Sequence, residues 1–434
     1  MPNIQPIYGI RYDLGRVGNL SDVVAPPYDV IGADFQETLY AKHPNNAVRL
    51  ILNKQLPTDD EQNNRYTRAR KTLQSWMEEG VLFTEPDPAI YVYHQIFDYA
   101  GRTYTRKGFM AGLEVQPFGK GCVFPHEQTH AAAKADRLML TTVTKTQLSQ
   151  IFGLYPDAES EVQAILEKEI EGKTPLMAED HLGVTHKMWV VTEPSVISAV
   201  QEKIGKKPLF IADGHHRYET ACNYLEHLRQ MGIPKDHPAH YVLTMFIAME
   251  DPGLAVLPTH RLFPGVAELT SEALQAKLGD CFTCEVVGKG AETGQQVWEK
   301  LEAGEIQGEI GLYTRKDDTW TLCTLTPAGE AKMAEPAVAG EHTEDWRNLG
   351  VSLLHKLIMD TLLDEPNAPK PVYVHLVSEL VEELKTGQFP LAAVVMPATV
   401  EDIKTLCLEG ERMPQKSTYF YPKLLSGLVF RSVE

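Results

Sequence analysis

The chain has 434 residues, enough for about two or three domains, and its 43% hydrophobic and 23% charged residues are typical of globular proteins. Its formal net charge of -18 argues against a nucleic-acid partner, because binding to a polyphosphate relies on clustered Lys and Arg. No apolar run reaches the roughly 18 residues of a membrane span, no signal peptide is visible, and the six cysteines do not suggest a disulfide scaffold. We therefore expect a cytoplasmic protein with no nucleic-acid and no membrane partner.

The first 264 residues are expected to alternate between strands and helices, with a β-hairpin around Ala100-Gly101. Strands are predicted at 46–52, 89–99, 103–116, 151–157, 186–193, 209–212 and 240–250. Helices are predicted at 34–43, 59–79, from about His130, and at 160–170, 194–205 and 217–231. This region, 1–264, is interpreted as the first part of the chain.

The remaining chain is divided at a Pro/Gly/Ala-rich linker, 334–340. Residues 265–335 are predicted to form a small α+β unit in which IGLYTR and TWTLCTL pair as strands. Residues 336–434 are predicted to form a C-terminal α/β region that packs on the candidate functional site described below. Its expected elements are helices at 345–363, 377–386 and 399–408 and a strand at 391–396. The fold class is therefore α/β to α+β, with mixed sheets.

The stretch LFIADGHHRYETA places several polar groups on the turn between a predicted strand and a predicted helix. The first N–H groups of a helix attract anions, Gly214 lets an anion approach the backbone, and Arg217 offers a planar fork suited to phosphate. His215 and His216 can donate protons or hydrogen bonds. Asp213 would repel phosphate and suits a Mg²⁺ ligand or a base for a hydroxyl proton. The alternative is a solvated turn in which Asp213 only caps the helix.

A second constellation, FPHEQTHAAAKADR, holds Glu127 in a loop and Lys134 and Arg137 in the following helix. Lys134 and Arg137 are candidate phosphate ligands. The alternative for Lys134 is a surface ion pair with a carboxylate. Tyr28 of the segment PPYD is a further pocket candidate, with a structural role as its alternative.

Two later segments carry candidate substrate ligands. LPTHRL follows a predicted strand, and its His-Arg pair suits a nucleotide or a substrate carboxylate; an arginine that binds structural carboxylates is the alternative. QKSTYFYPK interleaves basic and hydroxyl groups, including Lys423, with aromatic residues, which would suit a purine and its phosphates; a core strand is the alternative. The candidate substrate ligands are Thr259, His260, Arg261, Lys416, Ser417 and Thr418. Cys281 and Cys284 form a CxxC pair that we interpret as free thiols.

The turn DGHHRYETA resembles the motif with which the ParB/sulfiredoxin superfamily holds a nucleotide phosphate at a helix start. It is most similar to that of the free-serine kinases, whose motif is also Asp-Gly-His-His-Arg. His215 stands where sulfiredoxins carry their catalytic cysteine, which excludes thiol chemistry, and the acidic charge argues against the DNA coupling of ParB proteins. Nearly the whole chain resembles the DUF1015 family, through VVAPPYDVI, HPNNAVRLIL, FPHEQTHAAAKADRL, FIADGHHRYETA, DPGLAVLPTHRL and MPQKSTYFYPKLLSGLVF.

The resemblance implies a ParB/sulfiredoxin-like mixed-sheet core with large insertions and an additional C-terminal α+β region. It implies a kinase that transfers phosphate from ATP or ADP, with Mg²⁺, to a small hydroxylated metabolite such as free L-serine. Catalytic roles fall to Asp213, Glu127 and His216, with Glu127 matched to a loop glutamate of the free-serine kinases. No P-loop GxxxxGK[ST] motif is present. A non-catalytic nucleotide or metabolite sensor, and a phosphatase or nucleotidase with the same anion site, are the alternatives.

Overall fold

The computed structural model describes residues 3–129 and 131–434 and shows a mixed α/β protein with several sheets. The chain forms two compact units. The first comprises Met1–Pro125, Thr129–Ala255 and Pro422–Glu434; the second comprises His126–Gln128 and Val256–Tyr421. Within the described ranges, no helix combines the length and the apolar character needed to cross a lipid bilayer.

This division differs from the predicted one, which separated 265–335 from 336–434. The strand Leu391–Val395 explains the difference, because it pairs with Glu309–Thr314 on one side and with His260–Phe263 on the other. Strands from all three predicted regions therefore share one sheet. The segment Pro422–Glu434 instead returns to the first unit.

The first unit contains a large mixed sheet, a smaller sheet of four strands, and helices around them. Its strands are β1 (Ile4–Gln5), β2 (Gly9–Tyr12), β3 (Leu82–Thr84), β4 (Ile90–Tyr99), β5 (Arg102–Glu114), β6 (Val123–Pro125), β7 (Thr146–Gln147), β8 (Ile151–Tyr155), β9 (Leu176–Glu179), β10 (Thr185–Val191), β11 (Leu209–Asp213), β12 (Tyr241–Ala248) and β21 (Phe430–Ser432). Its helices are α1 (Leu14–Val17), α2 (Leu20–Val23), α3 (Ala33–Lys42), α4 (Val48–Ile51), α5 (Arg65–Glu78), α6 (Ala131–Thr144), α7 (Glu161–Ile170), α8 (Pro194–Ile204) and α9 (His215–Gln230).

The large sheet has the order β6-β11-β8-β12-β5-β4-β10-β9, with β1 paired to β5. Only the β6–β11 and β8–β12 pairs are parallel among its described pairings. The small sheet has the order β3-β2-β21-β7. The predicted hairpin is confirmed: Tyr99 pairs with Arg102, and Ala100 and Gly101 between them both have positive φ, as a tight two-residue turn requires.

The second unit is built on an antiparallel sheet of order β15-β17-β16-β19-β14-β18. Its strands are β13 (Ala255–Leu257, starting at the boundary), β14 (His260–Phe263), β15 (Phe282–Lys289), β16 (Glu309–Thr314), β17 (Thr319–Leu325), β18 (Val372–Val374), β19 (Leu391–Val395) and β20 (Tyr419–Tyr421). Its helices are α10 (Ser271–Leu278), α11 (Thr293–Gly304), α12 (Pro327–Met333), α13 (Glu344–Asn348), α14 (Gly350–Ser352), a π-helix (Leu353–Leu362), α15 (Val377–Lys385) and α16 (Val400–Glu409). The predicted pairing of IGLYTR with TWTLCTL is confirmed.

The prediction of a buried strand at 46–52 is wrong, because Val48–Ile51 forms a helical turn. Asn46 directs the chain into this turn: its side-chain oxygen accepts from Val48 N at 2.9 Å, and its amide donates to Val24 O at 3.0 Å. A short apolar run is compatible with either a buried strand or a buried helix, so its composition did not decide between them.

The prediction of one helix over 345–363 is also wrong. Leu349 is extended (ψ 132°) and separates α13 from α14, and Gly350 N donates to the side chain of Gln307 at 3.0 Å. The chain then continues as a π-helix. At its end, Leu363 N donates to Ile358 O, five residues earlier, and this is the hydrogen-bond spacing of a π-helix. The predicted start of α6 at His130 lies outside the described residues.

Candidate functional site

The DGHHR turn lies where β11 leaves the large sheet and α9 begins. β11 is flanked by β6 and β8, and its residues Leu209 to Ala212 are buried. Gly214 occupies the N-cap with φ 92° and ψ 26°, a left-handed conformation that glycine adopts without strain. The helix starts at His215, two residues earlier than predicted, so both histidines belong to its first turn. His215 is buried and His216 is half-buried.

The carboxylate of Asp213 is held between two cations. Arg217 Nη2 lies 2.5 Å from Oδ2, one helical turn along α9, and Lys423 Nζ lies 2.8 Å from Oδ1. The three side chains are only 19%, 13% and 14% exposed for Asp213, Arg217 and Lys423, respectively. Arg217 also donates to the carbonyl of Gln150. The turn therefore combines an acid with two positive charges at a helix N-terminus.

Gly214 is required for this arrangement. A Cβ added there would lie 3.0–3.1 Å from the guanidinium atoms of Arg217. The guanidinium thus packs against the bare backbone of the turn while it reaches Asp213.

Two completely buried polar residues of the hairpin hold the backbone that carries Lys423. Gln95 Nε2 donates to the carbonyl of Lys423 at 3.0 Å, and Arg106 donates to the carbonyl of Pro422. The two side chains are register partners on β4 and β5 and bond to each other, with Arg106 Nε 3.0 Å from Gln95 Oε1. Burial lowers the pKa of Arg106 to about 10, partly offset by Tyr93, Asp251 and Asp213. Arg106 therefore lies in the electric field of Asp213.

The sequence indicates Lys423 only as one of the basic groups of QKSTYFYPK, and it gives no site role to Gln95 and Arg106. Both are long polar side chains that are completely buried in β4 and β5, although Thr105 and Lys107 flank Arg106 in sequence. Such a pair indicates a specific buried partner. Its partner, the backbone at 422–423, is far away in sequence.

Arg137 is buried and lies with its guanidinium 3.9 Å from the ring centroid of Tyr28. It donates to Ile51 O at 2.8 Å and, through Nε, to Asp136 at 2.7 Å. Burial and the nearby Asp29 raise the pKa of Tyr28, while Arg137 and Arg217 oppose that rise. Tyr28 therefore lies in the electric field of Arg217 as well as that of Arg137, and the phosphate role of Arg137 stays a prediction.

Lys134 forms an ion pair with a carboxylate, which is the structural alternative to phosphate binding. Its Nζ lies 2.7 Å from the carboxylate of Glu219 on α9, and Thr129 donates to the same carboxylate at 2.5 Å. Both charged side chains are about one-third exposed. The predicted phosphate contact of Lys134 competes with this ion pair.

The other predicted residues belong to the second unit. Burial lowers the pKa of Arg261 to about 10, and Tyr373 and Glu127 oppose the shift. Arg261 donates to Lys416 O at 3.0 Å and to Thr259 O, and the charges of Arg261, Lys416 and Glu127 all act on Tyr373. Three predicted residues, Glu127, Arg261 and Lys416, are thus gathered around one tyrosine.

Several of the predicted substrate ligands in that unit are buried and bonded within the protein. Thr418 Oγ1 lies 2.9 Å from His126 Nε2, and Ser417 donates to Pro414 O at 2.5 Å. His260 is completely buried, and burial, with Arg261 and His375, lowers its pKa to about 3. Thr259 is also buried. These contacts favour the structural alternative, and the substrate roles stay predictions.

The residues around Asp213 do not fit a preassembled magnesium site. Both carboxylate oxygens bind cations, and within 3–129 and 131–434 no three His, Cys, Asp or Glu side chains are grouped to hold a metal. Mg²⁺ in nucleotide sites commonly relies on one or two carboxylates plus substrate phosphates.

Residues 4–352 match the family model described as "Protein of unknown function (DUF1015)". The chain belongs to the DUF1015 family. No curated protein matches this DUF1015 chain.

Solved structures show only weak similarity to the DUF1015 chain. A free serine kinase mutant in complex with ADP is 14% identical, with a TM-score of 0.34, over 69% of this chain and 84% of its own. A conserved hypothetical protein from Pyrococcus furiosus is 15% identical, with a TM-score of 0.33, over 70% and 89%. SbnI with a C-terminal truncation, from Staphylococcus aureus, is 10% identical, with a TM-score of 0.35, over 74% and 86%.

Proposed function

We propose that this DUF1015 protein is a nucleotide-dependent phosphotransferase that acts on a small hydroxylated metabolite. The observation that supports the proposal is the placement of Asp213 between Arg217 and Lys423 at the start of α9. An acid and two cations at a helix N-terminus are the groups that phosphoryl transfer to an alcohol needs. A ParB/sulfiredoxin-like core around the turn is part of this proposal.

The binding half of the site is the helix start. The first N–H groups of a helix have no partners within the helix and carry a partial positive charge. Arg217 and Lys423 lie at this helix start and would neutralise the charge of a bound phosphate. His216, half-buried in the first turn, is placed to donate to the transferring group.

The catalytic half is Asp213. Phosphate oxygens compete with its carboxylate for Arg217 and Lys423, so a bound nucleotide releases one carboxylate oxygen. That oxygen accepts the proton of the attacking hydroxyl, and nucleotide binding thereby switches on the base. Phosphoryl transfer depends mainly on positioning and charge neutralisation, which these residues supply.

The substrate to test first is free L-serine, with ATP or ADP as donor and with and without Mg²⁺. The purified full chain is incubated with each pair, and phosphoserine and free phosphate are quantified by mass spectrometry and phosphorus NMR. Phosphoserine supports the kinase; free phosphate without a phosphorylated acceptor supports the hydrolase. If calorimetry detects binding of neither nucleotide, the function class is wrong.

The variant that separates a catalyst from a sensor is Asp213→Asn. A catalyst should lose turnover by about 100-fold or more while it still binds nucleotide, because general-base contributions are of that size. A sensor should change only in affinity. The exposed Asp236→Asn change in the same unit is the matched control and should leave turnover unchanged.

A further inference from the structure

A cleft lies beside the DGHHR turn, between α6 and α9, and residues 146–151 close its floor. It encloses about 620 Å³ of space outside the protein atoms, part of which is open solvent. The cleft is therefore partly open to solvent beside the turn.

One face of α9 forms a wall of the cleft. Arg217, Thr220, Ala221 and Tyr224 all line it, and their spacing of three, four and seven residues places them on one side of a helix. Arg217 is also the residue that pairs with Asp213. The cleft is thus continuous with the phosphate site proposed above.

The chemistry of the cleft suits a flat, uncharged ring. Leu140, Leu148 and Ile151 supply apolar surface, and Tyr28 adds an aromatic ring. Thr220 is only 3% exposed, and its hydroxyl has no hydrogen-bond partner within the part of the chain that the structure describes. A buried hydroxyl without a partner is costly, so this one suits a ligand with a polar ring edge.

We propose that this cleft holds the purine base of the nucleotide whose phosphates bind at the DGHHR turn; the inference rests on the proposed function. A purine is planar and uncharged and carries ring nitrogens that can bond a hydroxyl. Free serine fits less well, because it has no ring to pack against Leu140, Leu148 and Ile151. The cleft is therefore assigned to the donor and not to the acceptor.

The first test compares ATP with inorganic tripolyphosphate on the unmodified full chain by calorimetry. The cleft should make ATP bind about tenfold or more tightly than tripolyphosphate. Equal affinity would overturn the base site while leaving the phosphate site intact. Failure of both ligands to bind would remove the proposed function as well.

The second test fills the cleft with Ala221→Leu and uses Asn223→Leu, on the exposed side of α9, as the matched control. Ala221→Leu should weaken ATP binding by about tenfold and leave tripolyphosphate binding within about twofold. An unchanged ATP affinity, or an equal loss for both ligands in a folded variant, would contradict the proposal. If Ala221→Leu does not fold, Thr220→Val keeps the volume and should weaken ATP alone; equal effects on both ligands would contradict the proposal again.

A separate observation concerns two cysteines of the second unit. Cys284 on the edge strand β15 is the register partner of Cys323 on β17, and their Sγ atoms lie 3.7 Å apart. Opposed residues of antiparallel strands have Cα atoms about 4.5–5.5 Å apart, within the range that a disulfide spans. Cys281, the other member of the CxxC pair, precedes β15. Cys284 is partly exposed and Cys323 is buried.

We infer that Cys284 and Cys323 form an oxidisable dithiol that reacts with a peroxide. The Cys284 thiolate attacks the peroxide and becomes a sulfenic acid, releasing one water from hydrogen peroxide. Cys323 then attacks that sulfur, and a second water leaves as the disulfide forms. Two electrons pass from the thiols to the peroxide. The contact with Cys323 lowers the pKa of the Cys284 thiol, which favours Cys284 as the first nucleophile.

The test treats the native full chain with hydrogen peroxide and maps disulfides by mass spectrometry. A single link between the peptides that contain Cys284 and Cys323 is expected, and it should persist in Cys281→Ser and vanish in Cys284→Ser. A Cys281–Cys284 link, or the absence of any link after Cys284 has been oxidised, would overturn the inference.

Discussion

The carboxylate of Asp213 and the ammonium of Lys423 lie 2.8 Å apart, although 210 positions separate them along the chain. Arg217 completes the cluster from the other side of the carboxylate. Nucleotide binding and fold stability should therefore both depend on Lys423.

Replacing Lys423 with Met should weaken nucleotide binding by about tenfold, because one of two neutralising charges is lost. It should also lower the free energy of unfolding by roughly 1–3 kcal/mol, since the remaining carboxylate is largely buried and loses a partner. Calorimetry and urea unfolding measure the two effects. Lys206→Met, in the exposed pair with Glu202, is the control and should change neither. Unaltered affinity in Lys423→Met would remove Lys423 from the site.

Gly214→Ala should weaken nucleotide binding by more than the backbone strain alone would cause. The left-handed conformation costs any alanine about 1–2 kcal/mol, but at this position the new Cβ also presses on the guanidinium of Arg217. Gly232 is a matched control, because it has φ 82° with nothing within 4 Å of an added Cβ. Gly232→Ala should lose similar stability and keep its nucleotide affinity. Equal affinities for the two variants would show that Arg217 does not need the bare backbone.

Arg106→Met should act on the site through Lys423. The change removes the donor to Pro422 O and should cost about 3 kcal/mol of stability, as expected when a buried polar network loses one member. At temperatures where the variant is folded, nucleotide affinity should fall toward that of Lys423→Met. In the Lys423→Met background the same change should cost no further affinity. Additive losses in this double-mutant cycle would show that Arg106 has no positioning role.

His260 should make the protein acid-sensitive. Burial lowers the pKa of His260 to about 3, so between about pH 6.5 and 3 the unfolded chain binds a proton that the folded chain does not. The contribution of neutral His260 to the free energy of unfolding is therefore fully present above about pH 6.5 and is lost as the pH falls toward 3. His260→Asn keeps an acceptor for Val395 N and should reduce the acid loss by up to roughly 4 kcal/mol.

The measurement is the urea unfolding midpoint across pH 4–7, with the exposed His227→Asn as control. His355, whose pKa burial also lowers to about 3, should leave part of the acid sensitivity in place. Identical pH profiles for His260→Asn and the unmodified protein would contradict the prediction.

The turn itself could be predicted because its signals are local. A buried apolar run, a glycine and a polar helix start are adjacent in sequence, and the structure places β11, Gly214 and α9 there. The hairpin at Ala100-Gly101 was predictable for the same reason. Periodicity and turn chemistry act over a few residues and need no knowledge of the rest of the fold.

The other half of the cluster could not be predicted, because its geometry depends on long-range pairing. Nothing in the segment around Lys423 shows that β21 joins β2 and β7 and brings that lysine to Asp213. The strand predicted at 46–52 failed for a related reason: Asn46 bonds to the backbone of Val24, a tertiary contact that selects the helical turn. The composition of the segment alone does not reveal that contact.

The return of Pro422–Glu434 to the first unit has a consequence for synthesis of the protein. While the ribosome makes residues 256–421, the small sheet lacks β21 and Asp213 lacks its lysine. A nascent chain, or one truncated before Pro422, therefore has an incomplete sheet and an incomplete anion site together. The anion site is therefore complete only after residues 422–434 have been made, and termination upstream of them yields a chain without the pair.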